Sequence, residues 1–235
     1  MTREVLKTKR MEFSLSETIE LAQYMLKTGF GKENAKFAFE LHGEICETVL
    51  EMLLDEVVKK RPECSMQKSL VLWNRKNPAN GFLTELDWTL FTPECIYLFE
   101  CKSYSGKKEL TGEGILSREN GKSYNVYKQS VIHKETLYDW VEPFVLSGKT
   151  PLLQMVLFDF SQGEIEDKRS KVAKMELPVL NERTLLPFLE NESKSEKVWN
   201  TRALREVGEK LSAKSDELRE THLKYVKKKH GKEET

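Results

Sequence analysis

The chain has 235 residues, enough for one substantial core with an appendage rather than two equal domains. Its 38 basic and 38 acidic residues cancel, so any surface for nucleic acid has to be a local patch. With 39% apolar and 32% charged residues, no run nears the roughly 18 apolar residues of a membrane span. The opening Met1-Thr-Arg-Glu-Val-Leu does not read as a secretory signal, so no membrane partner and a cytoplasmic location are expected.

Residues 14 to 28 read as a short amphipathic helix, with Ser14 or Ser16 as N-cap and a stop at Gly29 and Gly31. A longer helical pattern runs from about Lys32 to Lys60, with Phe37, Leu41, Ile45, Val49, Met52, Leu53 and Val57 at spacings of three and four. Gly43 interrupts it. A glycine there costs about 1 kcal/mol against alanine, which implies a close backbone approach or a break into two helices. Glu44 borders the apolar stripe, whereas Glu47 groups with Glu40 and Glu51 on the outer face, so Glu44 is the better candidate for a site; an ordinary surface glutamate is the alternative.

Pro62 ends the helix, and Leu70-Val-Leu-Trp73 reads as a strand before a loop from Asn74 to Gly81 containing Pro78. The stretch from Glu85 to Lys102 is the most informative in the chain. Alternation puts Glu85, Asp87 and Thr89 on one face of a strand, and Ile96, Leu98, Glu100 and Lys102 on one face of the next, with Thr92-Pro93 turning between them. Asp87 then lies on the strand antiparallel to Glu100. Carboxylates within apolar strands need a partner, and a divalent cation is one; a surface hairpin with solvated acids is the plainer reading.

Gly114 to Tyr124 looks like a further hairpin turning at Asn120-Gly121. Lys107, Lys108 and Lys122 are candidate phosphate contacts or solvated lysines. A helical pattern resumes from Asn125 to Val141, with Asn125, Gln129 and His133 on one face. Leu152 to Phe160 reads as a buried strand, Val172 to Leu180 as an edge strand and Asn181 to Leu189 as a short helix. From Ser193 onward 12 basic face 8 acidic residues, a net +4, on a helical pattern that ends in the basic stretch Lys224 to Lys232. The four cysteines, Cys46, Cys64, Cys95 and Cys101, lack zinc or redox spacing and read as buried thiols.

Gly43-Glu44 on a helix, Leu86-Asp87 on a strand, Phe99-Glu100-Cys101-Lys102 on the next, Tyr104 and Gly106 after it, and Asn125-x-x-x-Gln129-x-x-x-His133 opening a helix follow one another in order. In this the chain resembles the nuclease-related domain (NERD) family of the PD-(D/E)XK nuclease superfamily, over roughly residues 41 to 190. It departs from the pattern at Glu94-Cys95, Val126 and Ile115-Leu116, which bear on turns and packing.

The resemblance implies an α/β fold with a restriction-endonuclease-like core, a mixed central β-sheet flanked by helices, an N-terminal helical segment over 1–40, a core over 41–192 and a basic helical tail over 193–235. It also implies a divalent-metal-dependent nuclease, acting on DNA rather than RNA, with Mg²⁺ or Mn²⁺ held by Asp87 and Glu100. Lys102 would orient or deprotonate the attacking water. Glu44 would serve through water or a second metal, and Gln129 would position water or the lysine. The alternative is a non-catalytic nucleic-acid-binding or scaffold protein, with the tail engaging a protein partner or a second copy.

Overall fold

The computed structural model describes residues 6–8, 14–28, 35–74, 83–103, 106–118, 121–150, 152–161 and 163–230, with side chains described outside 28, 35–41 and 225–230. The expected stops at Gly29 and Gly31, the loop segment with Pro78 and Gly81, Tyr104 and Asn120 lie outside the described residues. Helices are α1 (Leu15–Thr28), α2 (Ala35–Lys60), α3 (Val126–Val141), α4 (Lys171–Glu176), α5 (Leu185–Glu192) and α6 (Thr201–His230). Strands are β1 (Ser65–Trp73), β2 (Leu83–Phe91), β3 (Ile96–Lys102), β4 (Lys108–Leu110), β5 (Ile115–Arg118), β6 (Ser123–Asn125), β7 (Leu153–Asp159), β8 (Ile165–Asp167) and β9 (Val179–Leu180). The fold is mixed α/β. One sheet has the order β1-β2-β3-β7-β9 and the other β6-β5-β4-β8, and each contains parallel and antiparallel pairs.

The chain divides into two compact units, Met1–Arg61 with Phe99–Gln129 and Met155–Ser195, and Pro62–Leu98 with Ser130–Gln154 and Glu196–Thr235. In the first unit α1 begins at a capping box. The Ser14 Oγ accepts from Glu17 N at 3.3 Å, and Glu17 Oε2 accepts from Ser14 N at 2.8 Å, which decides between the two candidate caps. The Ser14 hydroxyl, which donates to Glu17 Oε2 at 2.7 Å, and the Ser14 backbone N–H hold the Glu17 carboxyl below the usual glutamate range.

Helix α2 passes through Gly43 without a break, and a Cβ built there meets nothing within 4 Å. Neither expected consequence of that glycine holds. Ile45, Cys46, Val49, Leu50, Leu53 and Leu54 are fully buried, and each large apolar side chain buried contributes about 1.5–3 kcal/mol, which outweighs the glycine penalty.

The second sheet is built as its turn residues dictate. β5 and β6 pair antiparallel with Leu116 opposite Tyr124, and the turn between them contains Gly121 at φ 78°, with Arg118 N donating to Lys122 O at 3.0 Å. Gly114, at φ 74°, has room for no Cβ: one would stand 2.4 Å from Tyr127 Cβ. Its carbonyl accepts from Val126 N at 3.0 Å, so the strand turns directly into α3.

Two expectations near the end of this unit are corrected. The segment from Val172 to Leu180 is mostly helix: α4 is capped by Ser170 Oγ, which accepts from Ala173 N at 3.2 Å, and only Val179–Leu180 is strand. Val172 and Met175 are 66% and 68% exposed, so the apolar residues that suggested a strand are not burying a face. Helix α5 starts at Leu185 because Asn181 Oδ1 instead accepts from Arg183 N and Thr184 N, at 3.0 and 3.1 Å, in a side-chain turn.

In the second unit β1 and β2 pair from Ser65↔Phe91 to Trp73↔Leu83, so β1 starts five residues earlier than its apolar run suggests. The turn after β2 is closed by its own chemistry: Thr92 Oγ1 donates to Cys95 O at 2.7 Å and accepts from Cys95 N at 3.1 Å. Pro93 O accepts from Val198 N and Trp199 N at 2.7 and 2.9 Å. Helix α6 packs against β1, burying Leu204, Val207, Leu211 and Leu218.

Strand β1 is distorted at one point. Ser69 has φ 50°, in the left-handed region, and the ladder skips from Lys68↔Trp88 to Leu70↔Leu86, so Ser69 and Asp87 fall at the gap. Helix α6 takes over the bonding there: Ser215 Oγ accepts from Val71 N at 2.8 Å and donates to Ser69 O at 3.3 Å, and Arg219 Nη2 donates to the same carbonyl at 3.2 Å. Ser215→Ala orphans a buried amide and is expected to lower stability by about 1–3 kcal/mol, read from the denaturant midpoint.

Candidate active site

Strand β3 is buried from Ile96 through Glu100, and its last residues emerge half-buried. The period-two geometry puts Glu100 and Lys102 on one side of it. Their side chains are 6% and 14% exposed, and Lys102 Nζ donates to Glu100 Oε1. From the first turn of α3, Gln129 Nε2 donates to Glu100 Oε2 at 2.9 Å. The carboxylate is therefore held at both oxygens, by an ammonium and by an amide. The plainer reading of a solvated carboxylate does not describe Glu100.

The backbone under these groups is fixed from two directions. Lys102 O accepts from Phe160 N at 3.1 Å and from the buried Cys46 thiol at 3.5 Å, and the same thiol reaches Phe158 O at 4.0 Å. Gln129 owes its position to the start of α3, where Asn125 Oδ1 accepts from Lys128 N at 2.7 Å as an N-cap. Of the three polar residues expected on one face of that helix, Asn125 caps, Gln129 reaches Glu100 and His133 is buried.

Next to Lys102 opens a cavity of about 310 Å³, walled by His42 and Gly43 of α2, Cys101 and Ser103 around the end of β3, and Arg118, Lys122 and Tyr124 of the β5–β6 hairpin. Lys102 Nζ lies 5.8 Å from the centre of the Tyr124 ring, within cation–π range. The absence of a side chain at Gly43 leaves that wall open.

The structure brings Glu100, Lys102 and Gln129 together. Glu44 follows the cavity-lining Gly43 and is exposed, whereas Glu47 is half-buried, the reverse of the order expected from periodicity. Asp87 is half-buried on β2, in the second unit, at the gap opposite Ser69. Lys108 is corrected as a phosphate contact: its side chain is fully buried, and Nζ donates to both Asp159 oxygens, at 3.0 and 2.8 Å, and to Ser161 Oγ. Cys46, Cys64 and Cys95 are buried as expected, and Cys101 is half-buried.

Sequence reading left out Arg118 and Tyr124. The signal was present: alternation from an Asn-Gly turn places Arg118, Lys122 and Tyr124 on one face of the hairpin, with the buried Leu116.

Each oxygen of the Glu100 carboxylate carries two lone pairs, so the bonds from Lys102 and Gln129 do not by themselves exhaust its capacity to accept. Among the described residues no three His, Cys, Asp or Glu cluster at ligating distance. Mg²⁺ prefers oxygen ligands and keeps several waters, so one or two carboxylates form a fitting donor set.

Among the described residues no helix is long and apolar enough to cross a membrane. No curated protein matches the chain. A crystal structure of protein VC1899 from Vibrio cholerae is similar at 13% identity and a TM-score of 0.40, covering 68% of this chain; this chain spans 36% of that one, and at that score the likeness carries no weight. The family model described as nuclease-related domain matches residues 43–158, about half of the chain, and takes in β1 to β6, α3, most of β7, and Glu44, Asp87, Glu100, Lys102 and Gln129. What the match shows is a nuclease-related domain over residues 43–158 of this chain.

Proposed function

We propose that this chain is a divalent-metal-dependent nuclease that hydrolyses phosphodiester bonds, with DNA as its substrate. The observation that carries the reading is the buried Glu100 carboxylate gripped by Lys102 and Gln129 within the nuclease-related segment. Glu100 and Asp87 would hold Mg²⁺, or Mn²⁺ in its place, with Glu44 contributing through water. Bound there, the cation would supply Lewis acidity and lower the pKa of its water.

The protein groups have separate tasks. Lys102 orients the attacking water and offsets negative charge as it builds on the phosphoryl oxygens. Gln129 holds the Glu100 carboxylate in place, so that its oxygens present a fixed geometry. Burial of both partners strengthens these interactions relative to water.

The test is cleavage of plasmid and single-stranded DNA with Mg²⁺, Mn²⁺ or EDTA, by the wild type, Asp87→Ala and Lys102→Ala. Cleavage that needs the cation and fails in both variants supports the proposal. Equal cleavage by all three proteins overturns it.

A non-catalytic nucleic-acid-binding protein is the second reading, favoured by the net +4 of the tail. Because α6 buries apolar residues against β1, its test is charge reversal at Lys227, Lys228 and Lys229 rather than removal of residues 193–235. Metal-independent DNA binding that weakens steeply with salt and drops in that variant, without cleavage, would establish it.

A further inference from the structure

We infer that the cavity beside Lys102 is a subsite for one unpaired nucleotide, with the phosphate held by Lys102, Arg118 and Lys122 and the base stacked on Tyr124. The inference deepens the nuclease reading by naming the form of substrate, and it rests on that reading only for the chemistry that follows binding.

Charge is the first support. Among the described residues that line the cavity, three carry cationic side chains, a fourth is His42, and none is acidic. This contrasts with a chain whose total charge is zero, so the cations are concentrated here by folding. Arg118 and Lys122 come together because the Gly121 turn brings their backbones into hydrogen-bond contact, and alternation sends both side chains to the face that carries Tyr124. A guanidinium and two ammonium groups are the usual donors to a phosphate group.

Shape and aromatic character are the second. A volume of about 310 Å³ lies at the lower end of the range for small-ligand sites, roughly 300–1,000 Å³, and suits a single nucleotide. Tyr124 is 38% exposed, with the Lys102 ammonium in cation–π range of its ring, so an aromatic residue is presented beside the cations. In a duplex each base is stacked on both faces and paired at its edge, and reaching such a cavity requires flipping it out. An unpaired strand or a frayed end meets no such barrier. Alternating phosphate contacts and aromatic stacking is also how proteins hold single strands without reading sequence.

Lys102 belongs to both places. It bonds Glu100 on one side and lines the cavity on the other. A nucleotide seated in the cavity therefore carries its phosphate to the group next to the carboxylate, and the hydrolase becomes selective for single strands and ends.

The test is binding by the full chain in EDTA, so that no cleavage occurs, followed by fluorescence anisotropy of labelled oligothymidine and of a blunt duplex of the same length. Thymidine monophosphate, thymidine and inorganic phosphate serve as competitors. The single strand is expected to bind at least tenfold more tightly than the duplex, and the monophosphate to compete better than thymidine or phosphate alone. Tyr124→Ala should weaken single-strand binding about tenfold, as expected for losing one stacked base, while Tyr124→Phe retains it. Arg118→Ala and Lys122→Ala should each flatten the salt dependence by about 0.7 in log–log slope, one phosphate contact apiece.

Equal affinity for single strand and duplex, or Tyr124→Ala binding like wild type, overturns the inference. Metal-dependent cleavage without single-strand preference leaves the nuclease standing and removes the subsite. Single-strand binding through Tyr124 without cleavage does the opposite.

Discussion

Glu100→Gln and Lys102→Met are each expected to leave a folded protein that cleaves DNA at least a hundredfold more slowly than wild type. Both changes keep approximate volume at positions 6% and 14% exposed, so packing is conserved while charge is lost. Removing a positioned proton-transfer group lowers rates about 10²–10⁴-fold, and removing a preorganised electrostatic group about 10²–10³-fold. Lys102→Arg should fail to rescue, because a planar guanidinium cannot place one point charge where the ammonium sits against Glu100 Oε1. Gln129→Ala should have a smaller effect, about tenfold, since the Glu100 carboxylate loses an amide donor but keeps the Lys102 ammonium. Initial rates at saturating Mg²⁺, with melting curves for each variant, decide the matter. Wild-type rates in Glu100→Gln or Lys102→Met would show that the triad is structural.

Lys108→Met is expected to be the most damaging substitution for stability, at about 3–5 kcal/mol, because it strips a buried carboxylate of its cation. Lys108 is fully buried and donates to both oxygens of Asp159, which is itself 11% exposed. Burial raises the Asp159 carboxyl above the usual aspartate range, and the charge and hydrogen bonds of Lys108 offset only part of that. A carboxyl whose pKa is raised on folding contributes stability at pH values below its unfolded pKa and loses it as pH rises through the folded value.

Without Lys108 the offset disappears and the carboxyl moves higher still. The penalty of Lys108→Met should therefore be small near about pH 4 and grow toward about pH 8. Denaturant midpoints across that range measure it. Lys108→Met with Asp159→Leu should recover most of the loss, because neither charge then remains buried. A penalty that is flat with pH would assign the damage to packing instead.

Sequence alone determined those features that depend on neighbours along the chain. Period-two alternation placed Glu100 beside Lys102, Thr92-Pro93 and Asn120-Gly121 placed the turns of two hairpins, and a three-four apolar spacing placed α2. The nuclease-related segment was legible for the same reason, since its motifs are short and lie on single elements.

Tertiary structure decided everything that depends on which distant surface covers a side chain. Lys107 and Lys108 are adjacent in a polar stretch, yet one is exposed and the other is sealed against Asp159, fifty-one residues away. Val172 and Met175 look like strand residues until Ser170 caps a helix and leaves them in water. Ser215 reads as one polar residue in a charged helix, but its hydroxyl completes the bonding of β1 opposite Asp87. Local pattern encodes direction and spacing, which are properties of the backbone. Burial, ion pairing and cavity walls are set by contacts between segments far apart in sequence, and only the folded chain supplies those partners.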